Sequence, residues 1–280
     1  MRDRHSISIG LIGAGRLGTT LAAALLEAGY QVKCVSSRTG NSLLTGVPSI
    51  DDPQLVAGRC DLVFLTVPDA AIASACASIA WSPRHSVVQC SGAASIHVLD
   101  SARESGAGVG CLHPLQSFPS RSPEPERFRG IFCGVEGTGP VGELLHQMAG
   151  DLGARAVSLE GVDRALYHAA AVTISNHVVA LASAATRLWT LAGLPEASGR
   201  EALAPLLQAA AGNVARLELP QALTGPVARG DVATVAAHLH ALEREPELRE
   251  LYRRLSAELL RLPLGHDPET AERLRTLLQS

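Results

Sequence analysis

Between residues 162 and 191 the chain reads as one long helix. At about 100° per residue, His168, Val172, Ser175, Asn176 and Val179 share a face, with His177 nearly opposite. His168, Ser175 and Asn176 are polar in an otherwise apolar stretch (169–174 and 178–182), so each needs a partner or a ligand. Protonation of an oxyanion is the chemistry they suit. Hydride delivered to a carbonyl leaves an alkoxide, which an imidazole with a pKa near neutrality can protonate. His168 is then the proton donor, Asn176 orients the oxygen, and Ser175 bonds the substrate or the amide of a hydride-carrying cofactor. A satisfied interhelical network is the structural alternative.

Other candidates follow segments that read as strands, where ligands of α/β sheets collect. Val67-Pro68-Asp69 ends one, with Pro68 shaping a ribose site and Asp69 read first as a helix N-cap. Gln89-Cys90-Ser91-Gly92 ends the next and presents Ser91 to a nicotinamide or a substrate. His113 follows a third, as a site residue or a structurally bonded imidazole. Near the C-terminus, Leu223-Thr224-Gly225-Pro226-Val227-Ala228-Arg229-Gly230-Asp231 makes a turn with Asp231 as N-cap. Thr224 and Arg229 are left over, and an arginine on a rigid turn can clamp a carboxylate or phosphate. An exposed salt bridge would also account for Arg229.

The elements that must position these groups begin at residue 6. An apolar run (Ile7, Ile9, Leu11, Ile12) stops at Gly13-Ala14-Gly15-Arg16-Leu17-Gly18, a G-x-G-x-x-G turn, and a helix and a second strand follow. Gly13 allows the tight turn, Gly15 lets a pyrophosphate approach, and Gly18 lets helix and strand pack closely. Free N–H groups and the positive helix end meet the phosphate charge. At the end of the second strand stand Ser36-Ser37-Arg38, with no acid before Asp51. An acid there bonds the ribose hydroxyl of NAD, whereas hydroxyls and a guanidinium suit the 2′-phosphate of NADP. NADP is the expected cofactor in preference to NAD.

Strand and helix signals alternate to about residue 159, with strands at 61–67, 86–90, 109–112, 131–135 and 155–159 and helices at 70–80 and 141–152. Only helices follow, near 162–191, 197–217, 232–243, 247–260 and 268–278. The fold class is α/β: an N-terminal doubly wound, mostly parallel Rossmann sheet (1–160) and an all-helical C-terminal domain (161–280) for substrate and dimerisation. The long helix is apolar all round, which predicts burial, partly against a second subunit. A proline-rich loop, 119–127, is a solvated connection or a lid beside His113.

Composition narrows the chemistry. In 280 residues of net charge -3 nothing points to nucleic acid or an anionic membrane. No signal peptide or long apolar span is evident, so a cytoplasmic protein is expected. Six scattered cysteines lack the spacing of a disulfide framework or a zinc site, and no metal is expected. Lys33 is the only lysine and sits in the second strand, which excludes a lysine Schiff base or lysine acid in the helical half.

The chain resembles a family of Rossmann-like proteins whose helical C-terminal half is a domain of unknown function. The resemblance rests on the glycine turn, Val67-Pro68-Asp69, His113-Pro114, Tyr167-His168-Ala169-Ala170 with Ser175-Asn176, and Thr224-Gly225-Pro226 with Arg229-Gly230-Asp231. More distantly it is similar to ketopantoate reductase, pyrroline-5-carboxylate reductase, prephenate dehydrogenase and the 6-phosphogluconate dehydrogenase superfamily. Those relatives imply an NAD(P)-dependent reductase that forms a homodimer through its helical domain. Several hydroxyacid dehydrogenases there carry a lysine on the long helix shortly before the asparagine. Here Val172 stands four residues before Asn176, so that role does not transfer and His168 is the candidate replacement. The expected activity is NADP-dependent reduction of a small anionic oxo acid, ketopantoate-like, or oxidation of the hydroxy acid. A non-catalytic NAD(P) sensor and a deazaflavin-dependent reductase are the alternatives.

Overall fold

A computed structural model describes residues 6–37, 43–137 and 139–279. These residues form two compact units that divide after Ser175, inside the long helix.

The first unit holds a sheet of seven strands, β1 (Ser8–Ile12), β2 (Gln31–Ser36), β3 (Leu62–Leu65), β4 (Ser86–Gln89), β5 (Gly108–Pro114), β6 (Phe132–Glu136) and β7 (Arg155–Ser158). Their order is β2-β1-β3-β4-β5-β6-β7. Strands β1 to β5 run parallel, whereas β6 is antiparallel to β5, pairing Gly134 with His113. Strand β7 returns parallel to β6. Helices α1 (Arg16–Glu27), α2 (Pro53–Arg59), α3 (Ile72–Ala77), α4 (Asp100–Glu104) and α5 (Gly139–Asp151) cover it. The strands are apolar on both faces because both are covered. Side-chain alternation sorts them into two cores: Ile9, Leu11, Phe64 and Val88 pack with α1 and α5, and Ile12, Val63, Leu65 and Val87 with α2 and α3. The doubly wound, mostly parallel sheet and the helical C-terminal region match expectation.

Two local expectations are corrected. The strand expected over 61–67 ends at Leu65; Thr66 keeps one last backbone bond, its N–H donating to Ile12 O at 2.9 Å, and gives its hydroxyl to Gly13 O at 2.6 Å. The helix expected over 70–80 is a 3₁₀ turn, Asp69–Ala71, followed by the short α3. The proline-rich loop, 119–127, is exposed or half-buried throughout, and the 3₁₀ turn at its end, Pro125–Phe128, buries Phe128 among residues of α1 and α5.

The second unit comprises most of α6 (Arg164–Leu191), then α7 (Glu196–Arg216), α8 (Leu219–Ala222), α9 (Pro226–Arg229), α10 (Val232–Ala241), α11 (Pro246–Leu259) and α12 (Pro268–Gln279). Its core is Val227, Val235, Leu239, Leu274 and Leu278. Asp231 caps α10, accepting from Thr234 N at 3.0 Å, as expected.

Helix α6 departs from expectation. Arg164 is its one buried residue, while Leu166, Ile174 and Val179 are about 70% exposed (70%, 69% and 70%). All-round apolarity therefore does not mark burial within one chain here. Over 18 residues its mean hydropathy of 1.3 meets the length and composition criterion for crossing a membrane, against the expectation of no such span. Alanines and valines produce that value. Asn176 and His177 near its middle, and His168 and Arg164 towards its start, would be costly in a bilayer.

Candidate active site

The glycine turn is built to be tight inside and open outside. Gly13 has φ +110°, and its N–H and that of Ala14 donate to Ser36 O at 2.9 and 3.1 Å. A β-carbon at Gly13 would meet the backbone of Thr66 at 2.7 Å, and one at Gly18 would meet Gly13 O at 2.1 Å. Glycine at these two positions lets the β1–α1 turn nest against the end of β3. At Gly15 nothing lies within 4 Å of that position. Gly15 also caps α1 without a side chain, and the first turn holds no acid. The positive end of α1 thus faces open space with no acid in its own first turn to neutralise it. Arg16 is exposed, whereas Ala14 and Leu17 pack on the core. Ser36 and Ser37 are buried at the end of β2 beside the turn. Arg38 lies outside the described residues. Val67 packs on the second core and Pro68 is exposed.

Because β1, β3, β4 and β5 are parallel, the glycine turn, Val67, Ser91 and His113 all lie at one edge of the sheet. His113 stands within β5, which continues to Pro114, rather than after the strand. Its Nδ1 is 2.9 Å from Tyr167 Oη, and its ring lies 6.3 Å from that of His168, centroid to centroid. Between the imidazoles sits the buried Gly92, where a β-carbon would meet His113 Nε2 and His168 Nδ1 at 2.7 Å each. His168 Nδ1 is buried and has no hydrogen-bond partner among the described residues.

The loop carrying Gly92 is braced from several sides. Ser91 Oγ donates to Asp69 Oδ2 at 2.5 Å and accepts from the N–H groups of Ala93 and Ala94 at 3.2 and 3.0 Å. The Ser91 N–H donates to the Gln89 side chain. Asp69 is therefore not the N-cap; Pro68 holds that place, and the carboxylate secures Ser91 instead. The hydroxyl proton of Ser91, expected to face a ligand, is committed to that bond. Arg164 binds the loop from the other side, donating from Nε to Gly92 O at 3.0 Å and from Nη2 to Ser91 O at 2.6 Å. Its Nη1 pairs with Glu136 Oε2 at 3.0 Å.

Of the remaining candidates, Ser175 is exposed and returns its hydroxyl proton to Ala171 O, one turn earlier, at 2.6 Å. Such back-bonding is how a helix accommodates serine without burial. Asn176, Thr224 and Arg229 belong to the second unit and are exposed. Arg229 has no ion pair among the described residues.

Sequence reasoning missed Arg164, Thr66 and the bracing role of Asp69. Arg164 did carry a signal. It is a cation in the first turn of a helix, where the dipole disfavours positive charge, so strong partners had to compensate.

Electrostatics separates the two histidines. His113 is pushed down to about 4 from 6.5, first by burial and then by the Arg164 and His168 charges, with Asp69 opposing. At neutral pH it is an uncharged hydrogen-bonding group. The unfolded chain binds the extra proton below about pH 6.5 and the folded chain only near pH 4, so stability declines as pH falls through that window. Denaturant unfolding between pH 7 and 4 should show a loss of up to roughly 3 kcal/mol from this group. His113→Asn should remove that part of the slope, and an identical slope would contradict the assignment.

Residues 2–114 match the family model of a Rossmann-like domain, and residues 131–259 that of a domain of unknown function, DUF2520. No curated protein matches the sequence. Among solved structures, the chain is similar to a proposed NADP oxidoreductase of Bacteroides fragilis, with TM-score 0.72 and 25% identity over 90% of this chain and 97% of that one. A Thermotoga maritima protein matches with TM-score 0.67 and 25% identity, covering 95% of this chain and 99% of that one. The 1-pyrroline-5-carboxylate reductase of Streptococcus pyogenes shares the fold at TM-score 0.63 and 14% identity, over 91% and 99%. Gly92 and His113 belong to the Rossmann-like match, while Arg164, Tyr167 and His168 belong to the DUF2520 match. The paired imidazoles therefore require both.

Proposed function

We propose that the chain is an NADP-dependent oxidoreductase acting on a small anionic oxo or hydroxy acid. The observation that carries this reading is the glycine turn, whose Gly15 rim is open and whose helix start is uncapped. Those features fit a pyrophosphate, and Ser36 and Ser37, with Arg38 from the sequence, suit a 2′-phosphate better than a diol. The similar Bacteroides fragilis protein supports it. When bound, the reduced cofactor supplies hydride.

The protein's part is to hold the proton and orient the oxygen. His168 is the proton donor, because His113 is neutral at working pH and already bonded to Tyr167. On the sequence alone, Asn176 is assigned to orient the oxygen, Ser175 to line the site, and Thr224 and Arg229 to hold the anion. A panel of 2-oxo acids, ketopantoate among them, tests this. At least one should consume NADPH, with NADPH preferred over NADH. Ketopantoate left untouched removes that substrate, and no consumption across the panel overturns the enzyme reading.

We further propose a cytoplasmic homodimer formed through the helical domain. Support comes from the exposed Leu166, Ile174 and Val179 of α6 and Leu206 of α7, and from six cysteines that are all free and buried. Light scattering should give twice the 29.2 kDa chain mass, and Leu166→Asp with Ile174→Asp should halve it. A wild-type monomer at micromolar concentration would contradict the proposal.

A further inference from the structure

We infer that Arg164 is a positioning residue: by holding the Ser91–Gly92 backbone it fixes which imidazole nitrogens of His168 and His113 carry protons.

Arg164 is only 9% exposed and opens α6. Its fork addresses successive carbonyls, Ser91 O from Nη2 and Gly92 O from Nε, while Nη1 takes Glu136 of β6. Nη2 also lies 3.3 Å from Cys111 Sγ of β5. The rigid guanidinium plane can serve these directions together, whereas a lysine nitrogen is a single point of charge. His168 lies four residues on, one turn away on the same helix face. The backbone that Arg164 draws in is therefore pressed against His168.

What faces the imidazoles there is the Gly92 methylene. The position of a Gly92 β-carbon, filled by a hydrogen, points at His168 Nδ1 and His113 Nε2 alike. A lone pair tolerates the glycine Cα–H that occupies this direction. An N–H in the same direction would meet a C–H and find no acceptor. The proton of neutral His168 is thereby left to Nε2, and that of His113 to Nδ1, where it donates to Tyr167 Oη at 2.9 Å. The unpartnered His168 Nδ1 is then a shielded lone pair and not an orphaned donor. Toward the reaction proposed above, the neutral ring offers Nε2–H as a hydrogen-bond donor to the developing oxyanion, and giving that proton away outright requires the ring to carry both protons first. The tautomer itself does not depend on that role.

Two-bond proton–nitrogen NMR on the ¹⁵N-labelled full chain reads the tautomers directly, with His168→Gln and His113→Gln providing assignments. Wild type should show His168 protonated at Nε2, and His113 at Nδ1, each by at least about tenfold. In Arg164→Lys the charge remains but the fork is lost, and His168 should become a mixture with visible Nδ1–H. The paired change Arg164→Met with Glu136→Met removes both buried charges. It should give the same mixture and also raise the His113 pKa, and it decides the matter if the lysine variant does not fold. Nδ1–H as the main form of His168 in wild type would overturn the inference. So would unchanged tautomers in the folded variants. Absence of oxo-acid turnover would leave this readout untouched, so the two failures are distinguishable.

Discussion

Gly15→Asp is expected to weaken dinucleotide binding about a hundredfold or more while leaving the fold intact. The site accepts a side chain: φ is -82°, and nothing lies within 4 Å of a built β-carbon. What changes is charge. A carboxylate at the uncapped start of α1 neutralises the helix end and confronts the pyrophosphate. At about 4 Å and an effective dielectric near 20, each like-charge pair costs about 4 kcal/mol. Discounted for partial exposure, that still implies a loss on the order of a hundredfold or more in NADPH affinity. Gly18→Val serves as contrast. Its β-carbon would strike Gly13 O at 2.1 Å, so it should lower the melting temperature as well as the affinity. Calorimetric titration with matched thermal melts separates the two. Unimpaired binding by a folded Gly15→Asp protein would show that the phosphate sits elsewhere.

His168→Ala is expected to lower turnover by about 10²–10⁴-fold, the usual range for loss of a positioned general acid. NADPH affinity should change little, because the glycine turn lies at β1 whereas His168 sits over the β4 loop. His113→Asn should cost less, since His113 is already neutral at pH 7 and acts through its bond to Tyr167. Single-turnover oxidation of NADPH with an accepted oxo acid is the measurement. Equal rates for wild type and His168→Ala would move the proton donor to another residue. Binding without turnover in either form would favour a nucleotide sensor.

What could be read from the sequence followed from periodicity. The β1–turn–α1–β2 unit was legible because strand alternation, three spaced glycines and a helix pattern agree over some 30 residues. Strand direction was not: β6 looks like any apolar run, and only its pairing with β5 reveals the reversal. Asp69 looked like a cap because an acid before a helix usually is one, yet Ser91 outcompetes the backbone for it. Ser175 and His168 share a helix stripe, but exposure separates them: Ser175 bonds its own helix, while His168 meets Gly92. Arg164 escaped because its partners, Ser91, Gly92 and Glu136, are far away in sequence and two of them act through backbone carbonyls.

The burial of α6 failed for a different reason. All-round apolarity says that a surface must be covered, without saying by what, and the single chain leaves Leu166 and Ile174 bare.

Calorimetric titration of the purified chain with NADPH is the most direct measurement. The account predicts one saturable site per chain in the micromolar range, weaker binding of NADH, and a loss of affinity of about a hundredfold or more in Gly15→Asp. No heat from either coenzyme at millimolar concentration would contradict it.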